Sequence, residues 1–214
     1  MRGSLKWSPD RKVVDALDEA FYLSFESIEP TGKNILLALD VSGSMTSPIA
    51  NSPLTCREAS VAMAMVTART ESNYHFIGFT GSGMWSRDIN NVSQNVSELD
   101  ISAKQRLDTV VKKVSGLPFG GTDCALPMLW AWRKGIDVDA FVVLTDSETW
   151  AGQIHPHQAL IQYRNKMNKP EAKCIVVGMT ATHFSIANPD DPGMMDVVGF
   201  DTAAPSIMAD FIKE

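Results

Sequence analysis

Three short stretches of this 214-residue chain carry oxygen donors at spacings that suit cation chemistry. The first is Asp40-Val41-Ser42-Gly43-Ser44, the second Gly121-Thr122-Asp123, and the third ends an apolar run at Asp146. On an extended or tightly turning backbone alternate residues share a side, so the Asp40 carboxylate and the Ser42 and Ser44 hydroxyls can converge on one point. Oxygen donors of this kind suit a small hard cation that keeps some of its waters. Gly43 and the small residues around it are expected to let the turn fold closely and leave room for an ion. The first stretch alone makes a partial site, so the other two must be brought to it.

The elements that would do so are legible in order. Residues 35–39 (ILLAL) and 140–145 (AFVVLT) are short apolar runs rich in branched side chains, each followed at once by an acid, as buried parallel strands would be. Residues 74–80 and 174–179 read as two more strands. Gly81-Ser82-Gly83 reads as a tight turn into Met84, Trp85 and Ser86, giving a hairpin with a short antiparallel edge. Between the strands lie helical patterns: 56–66 with Ala59, Ala62, Met63, Met65 and Val66; 107–114 behind a capping-box pattern at Ser102 and Gln105; 125–132; 158–167; and 205–212. An opening helix is expected after Ser8-Pro9-Asp10, with Val13, Val14, Leu17, Phe21, Phe25 and Ile28 on its apolar face. Strands alternating with helices predict an α/β, Rossmann-like, doubly wound and mainly parallel sheet flanked by helices on both faces. In such sheets ligands bind beyond the carboxyl ends of the strands, where all three donor stretches would lie.

Composition narrows the function. With 44% hydrophobic and 21% charged residues the chain can bury one substantial core, read as a single domain over 5–214, with 5–30 a helical segment packed on it and 1–4 an expression remnant. No apolar run approaches the roughly 20 residues needed to cross a bilayer. No secretory signal is evident, so a cytoplasmic and also nuclear location and a monomeric chain are the expectation. The odd count of three cysteines, Cys56, Cys124 and Cys174, predicts reduced thiols, with Cys124 a small buried side chain. A net charge of −6, with no stretch interleaving basic and aromatic residues, counts against direct RNA binding. Asn91-Val92-Ser93 and Asn95-Val96-Ser97 read as polar loop, and Asp190 and Asp191 as solvated acids in a turn-rich segment.

Enzymatic readings lack their parts. A phosphotransferase with Asp at the end of its first strand needs a second acid two residues on, where Ser42 stands. Neither a Gly-x-Ser-x-Gly elbow nor a phosphate loop ending in Gly-Lys-Ser/Thr is present. His155-Pro156-His157 sits at a helix start, where capping or surface exposure is expected. The donors have plainer uses too: Asp40 can cap a turn, Ser42 and Ser44 can bond backbone, and Thr122 can cap a helix, the role assigned to Asp123.

Taken together, Asp40-x-Ser42-x-Ser44, the glycine-preceded Thr122 and the strand-ending Asp146 resemble the metal-ion-dependent adhesion site of von Willebrand factor A domains. More closely, KWSPD, FESIEPTGK, LLALDVSGSM, GGTDCALPM, FVVLTDSET and NPDDPGMMDVVGFDT resemble the A domain of the Ro ribonucleoprotein autoantigen family. The resemblance implies six strands with one antiparallel edge. It implies hydroxyl ligands from Ser42, Ser44 and Thr122, with Asp40 and Asp146 binding directly or through water, and loop support from Gly43, Gly121, Asp123 and Ser147. It implies Mg2+ at the site, with Mn2+ and Ca2+ as alternatives, and a protein or ligand partner presenting a carboxylate. In that family RNA is held by a ring of helical repeats, the TROVE module, which has no counterpart in these residues. The expectation is a non-enzymatic, cation-dependent binding module. The alternatives are an excised or engineered stand-alone scaffold, a direct RNA binder, and a Mg2+-dependent phosphotransferase.

Overall fold

The structure is a computed structural model and describes residues 9–49, 52–81, 92–117, 120–146, 152–181 and 185–214. Its elements run α1 (Arg11–Leu23), β1 (Asn34–Asp40), α2 (Cys56–Thr70), β2 (Asn73–Phe79), α3 (Val92–Asn95), β3 (Val96–Glu98), α4 (Leu107–Ser115), α5 (Leu126–Lys134), β4 (Ala140–Thr145), α6 (Pro156–Met167), β5 (Lys173–Gly178), β6 (Met194–Val198) and α7 (Ala204–Lys213). The strands form one six-stranded sheet in the order β3-β2-β1-β4-β5-β6. Every neighbouring pair is parallel except β2 with β3. This is the expected doubly wound α/β sheet.

Burial follows from strand periodicity. Along β1, Ile35, Leu37 and Leu39 enter one core with α2, α4 and α7, while Leu36 and Ala38 enter a second core with α5 and α6. β4 divides likewise, Val142 and Leu144 on one side and Phe141 and Val143 on the other. A strand buried on both faces needs no polar alternation, which is why these runs are uniformly apolar. The chain leaves β1 for β2 on one side and later returns to β4 on the other. The strand order therefore reverses between β1 and β4, and the loops beyond their carboxyl ends diverge and open a crevice there.

Five local expectations are corrected. The antiparallel edge is β3, pairing Ile77 with Glu98 and Phe79 with Val96; the stretch 82–86 assigned to it lies outside the described residues. The first helix is capped by Asp10, whose carboxylate accepts the Lys12 N–H at 2.8 Å, one residue beyond the Pro9 that suggested the start. Only its second half is covered: Tyr22 is in the core, but Val13 and Leu17 are 57% and 64% exposed, because α1 meets the body through its last turns. Ser102 and Gln105 close a separate turn, and α4 begins at Leu107, whose N–H donates to the Asp18 carboxylate of α1 at 3.2 Å while its N-cap residue Arg106 makes no side-chain cap. The reciprocal caps are Thr55 with Glu58 and His155 with Gln158. The sixth strand, β6, is not placed by periodicity, since its five residues follow a turn-rich segment and Asp196 interrupts them.

Asp191 is a further correction, since it is not a solvated acid. Arg164 of α6 grips it with both guanidinium nitrogens, at 2.6 and 3.1 Å, and the Gly193 N–H donates to it at 2.9 Å. Arg164 also donates Nε to the Ala172 carbonyl at 2.8 Å, so one side chain ties the turn before β5 to the turn before β6. Burial pushes the Asp191 carboxyl up, but the Arg164 contacts and the Gly193 N–H outweigh it and hold the group below the usual range. A carboxyl depressed by folding contributes stability above its unfolded pKa of about 3.9 and loses it as pH falls toward the folded value. Arg164→Met should accordingly cost roughly 2–4 kcal/mol at pH 7 and flatten the acid limb of stability below about pH 4, as read by urea unfolding across pH.

Candidate metal centre

Asp40 is the last residue of β1 and only 1% exposed. The Ser42 N–H donates to its Oδ1 at 2.7 Å, closing a turn that starts a short 3-10 segment at Gly43–Thr46. That turn sets the Ser42 and Ser44 hydroxyl oxygens 3.0 Å apart. The second carboxylate oxygen, Oδ2, accepts the Thr145 hydroxyl of β4 at 2.8 Å and the Thr122 hydroxyl at 3.2 Å. Asp146 follows directly, is 6% exposed, and its carbonyl accepts the Thr180 hydroxyl from beyond β5 at 2.6 Å. The three donor stretches therefore meet at the reversal point between β1 and β4.

Thr122 reaches the site through a close crossing of backbones. The Gly121 carbonyl accepts both the Gly81 N–H and, at 3.0 Å, the Thr80 hydroxyl. A Cβ on Gly81 would stand 2.9 Å from the Gly121 carbonyl carbon and 3.2 Å from the Thr122 nitrogen, so only a glycine fits. Gly121 thus ties the start of the Thr122 loop to the end of the β2 segment. Asp123 serves the turn into α5, accepting the Ala125 N–H at 3.0 Å, and it lies against Gly152, where a Cβ would come within 2.6 Å of its carboxyl carbon. Burial raises its carboxyl, offset in part by the Ala125 N–H. Gly43 departs from expectation: it has no left-handed backbone, and a Cβ there would meet nothing within 4 Å. Its turn does not require glycine on grounds of chain sterics. Ser147 lies outside the described residues.

Electrostatically the site is strained toward positive charge. Desolvation raises the Asp40 carboxyl to about 6, against the Ser42 N–H and the Thr145 and Ser42 hydroxyls that favour ionisation, and the Asp146 charge pushes it further up. Burial lifts the Cys124 thiol well above its ordinary range, with Asp40 and Asp123 adding to the effect, so it is an inert, fully buried side chain. His155 caps α6, accepting the His157 N–H at 3.3 Å, and His157 Nε2 meets the Asn188 amide at 3.1 Å. Among the described residues no group of three or more His, Cys, Asp or Glu is placed to hold a metal. Any ion at the β1–β4 crevice would depend on hydroxyls as well as carboxylates.

Three contributors escape a reading of the sequence. Thr145 bonds Asp40 from the neighbouring strand, Thr180 anchors Asp146, and Arg57 of α2 donates to the Ser42 carbonyl at 3.2 Å and, at the long distance of 3.5 Å, to that of Val41. Thr145 has a faint signal, a polar residue ending an apolar strand beside an acid. Arg57 has none.

The parallel sheet, its reversal crevice and the oxygen cluster above it define a von Willebrand factor A domain. The family model described as the Ro60 vWA domain matches residues 34–212, and the chain belongs to that family. It is 46% identical over 215 residues to the RNA-binding protein RO60 of Deinococcus radiodurans, covering 100% of this chain and 38% of that protein. It is 41% identical over 211 residues to the RNA-binding protein RO60 of Caenorhabditis elegans, covering 99% of this chain and 31% of that protein. The crystal structure of the Deinococcus radiodurans RO (RSR) protein superposes with a TM-score of 0.80 at 46% identity, over 100% of this chain and 40% of that one. This chain thus spans well under half the length of these relatives.

The glycine crossing has a direct test. Gly81→Ala forces the Gly121–Thr122 backbone away and should destabilise the domain by about 1–3 kcal/mol, measured by chemical denaturation, with the nuclear magnetic resonance signal of the Thr122 amide displaced more than those of α6.

Proposed function

We propose that this chain is a binding module in which Asp40, Ser42, Ser44, Thr122 and Asp146 hold a divalent cation, Mg2+ before Mn2+ or Ca2+, and through it an acidic group on a protein partner. The observation that carries the reading is the meeting of three loops' oxygens around two buried carboxylates. An octahedral ion with oxygens at 2.0–2.1 Å places adjacent ligands about 2.9 Å apart. The Ser42–Ser44 separation of 3.0 Å and the Thr122–Asp40 separation of 3.2 Å suit such an edge. Bound there, the cation would supply the positive charge that recognises an acidic group. Asp40 and Asp146 would offset its charge, while Thr145 and the Ser42 N–H hold the Asp40 carboxylate in orientation. The module performs no chemistry on this reading, because Ser42 stands where a phosphotransferase needs its second acid.

The relatives' names support an RNA-binding setting for the longer protein, with this part recruiting partners to it. Three buried, unpaired cysteines suit a reducing compartment such as the cytoplasm. Among the described residues no helix is long and apolar enough to cross a membrane.

Calorimetric titration of the metal-stripped chain tests the reading. One saturable site for Mg2+ and Mn2+ is expected, weakened at least about tenfold by Asp40→Ala. Because Asp40 must lose a proton, affinity should fall about tenfold between pH 7 and pH 5, with proton release on binding. A group whose pKa is raised by folding favours the folded state when protonated, so the chelated domain should lose some stability as pH rises from about 4 through 6. No binding of either ion at millimolar concentration would overturn the proposal. Capture of a labelled single-stranded RNA, undiminished by Asp40→Ala, would instead favour direct RNA recognition.

A further inference from the structure

Arg57 occupies a position that chain energetics alone does not favour. It is the second residue of α2, where the helix dipole repels cations, and it is 5% exposed. Among the described residues it is the one buried cation, and burying a guanidinium costs several kcal/mol unless charge compensates it. Its Nη2 donates to the Ser42 carbonyl at 3.2 Å, in the loop that leaves Asp40, and although burial lowers the Arg57 pKa the Asp40 carboxylate works against that drop. Among the described residues the other buried charges at this end of the sheet are the two carboxylates, Asp40 and Asp146.

We propose that Arg57 is the resident counter-charge of the Asp40–Asp146 pair and sets how tightly the site holds a divalent cation. The affinity half of this assignment rests on the cation-binding reading above. Two carboxylates against one guanidinium leave a single net negative charge, so an arriving divalent ion makes the loaded site net positive. Without Arg57 the same ion would only neutralise the pair. Arg57 therefore weakens cation binding while leaving a positive charge for an acidic partner group to answer. It also lets the domain fold before the ion arrives, because the pair is partly compensated without it. Arg57 acts through the carboxylates and is a positioning residue, not a ligand.

The test compares Mg2+ titrations of the wild-type chain, Arg57→Met and Arg57→Lys by calorimetry, alongside thermal unfolding in chelator. Arg57→Met should bind Mg2+ about tenfold more tightly, since a unit charge acting on a divalent ion in a partly buried site is worth at least that factor. Arg57→Lys, which keeps the charge but loses the guanidinium Nη2 that meets the Ser42 carbonyl, should stay within about threefold of wild type. In chelator, the melting-temperature loss caused by Arg57→Met should shrink by about half or more in an Asp40→Asn background. If Arg57→Met does not fold in chelator, Arg57→Gln, which keeps an amide donor toward the two carbonyls, carries the same comparisons. Mg2+ affinity unchanged or weakened by loss of the charge, or an additive Arg57–Asp40 cycle, overturns the assignment. A wild-type chain that takes no Mg2+ overturns the cation reading and the affinity half with it, while the cycle alone still decides the pairing of Arg57 with Asp40.

Discussion

Two carboxylates taken out of water at one end of a parallel sheet are the constraint on which this molecule depends. Asp40 ends β1 and Asp146 follows the neighbouring β4, and each is almost fully buried. A buried carboxylate is tolerated only when donors and countercharge meet it. For Asp40 the donors are the Ser42 N–H and the Thr145 and Thr122 hydroxyls, while Arg57, the one buried cation among the described residues, donates to the Ser42 carbonyl nearby. The compensation is partial, as the raised Asp40 carboxyl shows.

The rest of the fold holds that arrangement still. Central strands buried on both faces cannot slip in register without moving apolar side chains between two separate cores. The reversal of strand order between β1 and β4 opens the crevice, and the backbone crossing of Gly81 with Gly121 brings Thr122 to its edge. On the other half of the sheet, Arg164 ties the segments entering β5 and β6 together through Ala172 and Asp191. The scaffold thus fixes where the strands end. Precision of that kind suits recognition.

Membership in the Ro60 vWA family places this chain as one part of the architecture its relatives carry, since it spans 31% and 38% of two of them. The name those relatives share concerns RNA, yet this part has a net charge of −6 and a site built from acids and hydroxyls. Such a surface is poorly matched to phosphate and well matched to a cation, which is why partner recruitment is the function proposed for it.

Much of this arrangement is legible in the amino-acid sequence alone. Uniform apolar runs ending in acids mark β1 and β4, helical periodicity marks α2, α5 and α6, and the alternation of the two implies the doubly wound sheet. The donor stretches can be named because ligand chemistry is a property of residue type and short spacing. Other features are hidden there because they are set by contacts distant in sequence. Asp191 reads as solvated because Arg164, 27 residues away, meets it only in the folded chain; β6 is too short and too polar to show a period; and Gly43 reads as necessary although nothing crowds it. By itself, then, the sequence determined which residues carry the oxygen donors and which strands would position them, because burial pattern and donor chemistry are local. Only the tertiary structure decided that Thr145 and Thr122 orient Asp40 and that Arg57 meets the Ser42 carbonyl, because hydrogen bonds across 105, 82 and 15 residues exist only once the chain has folded.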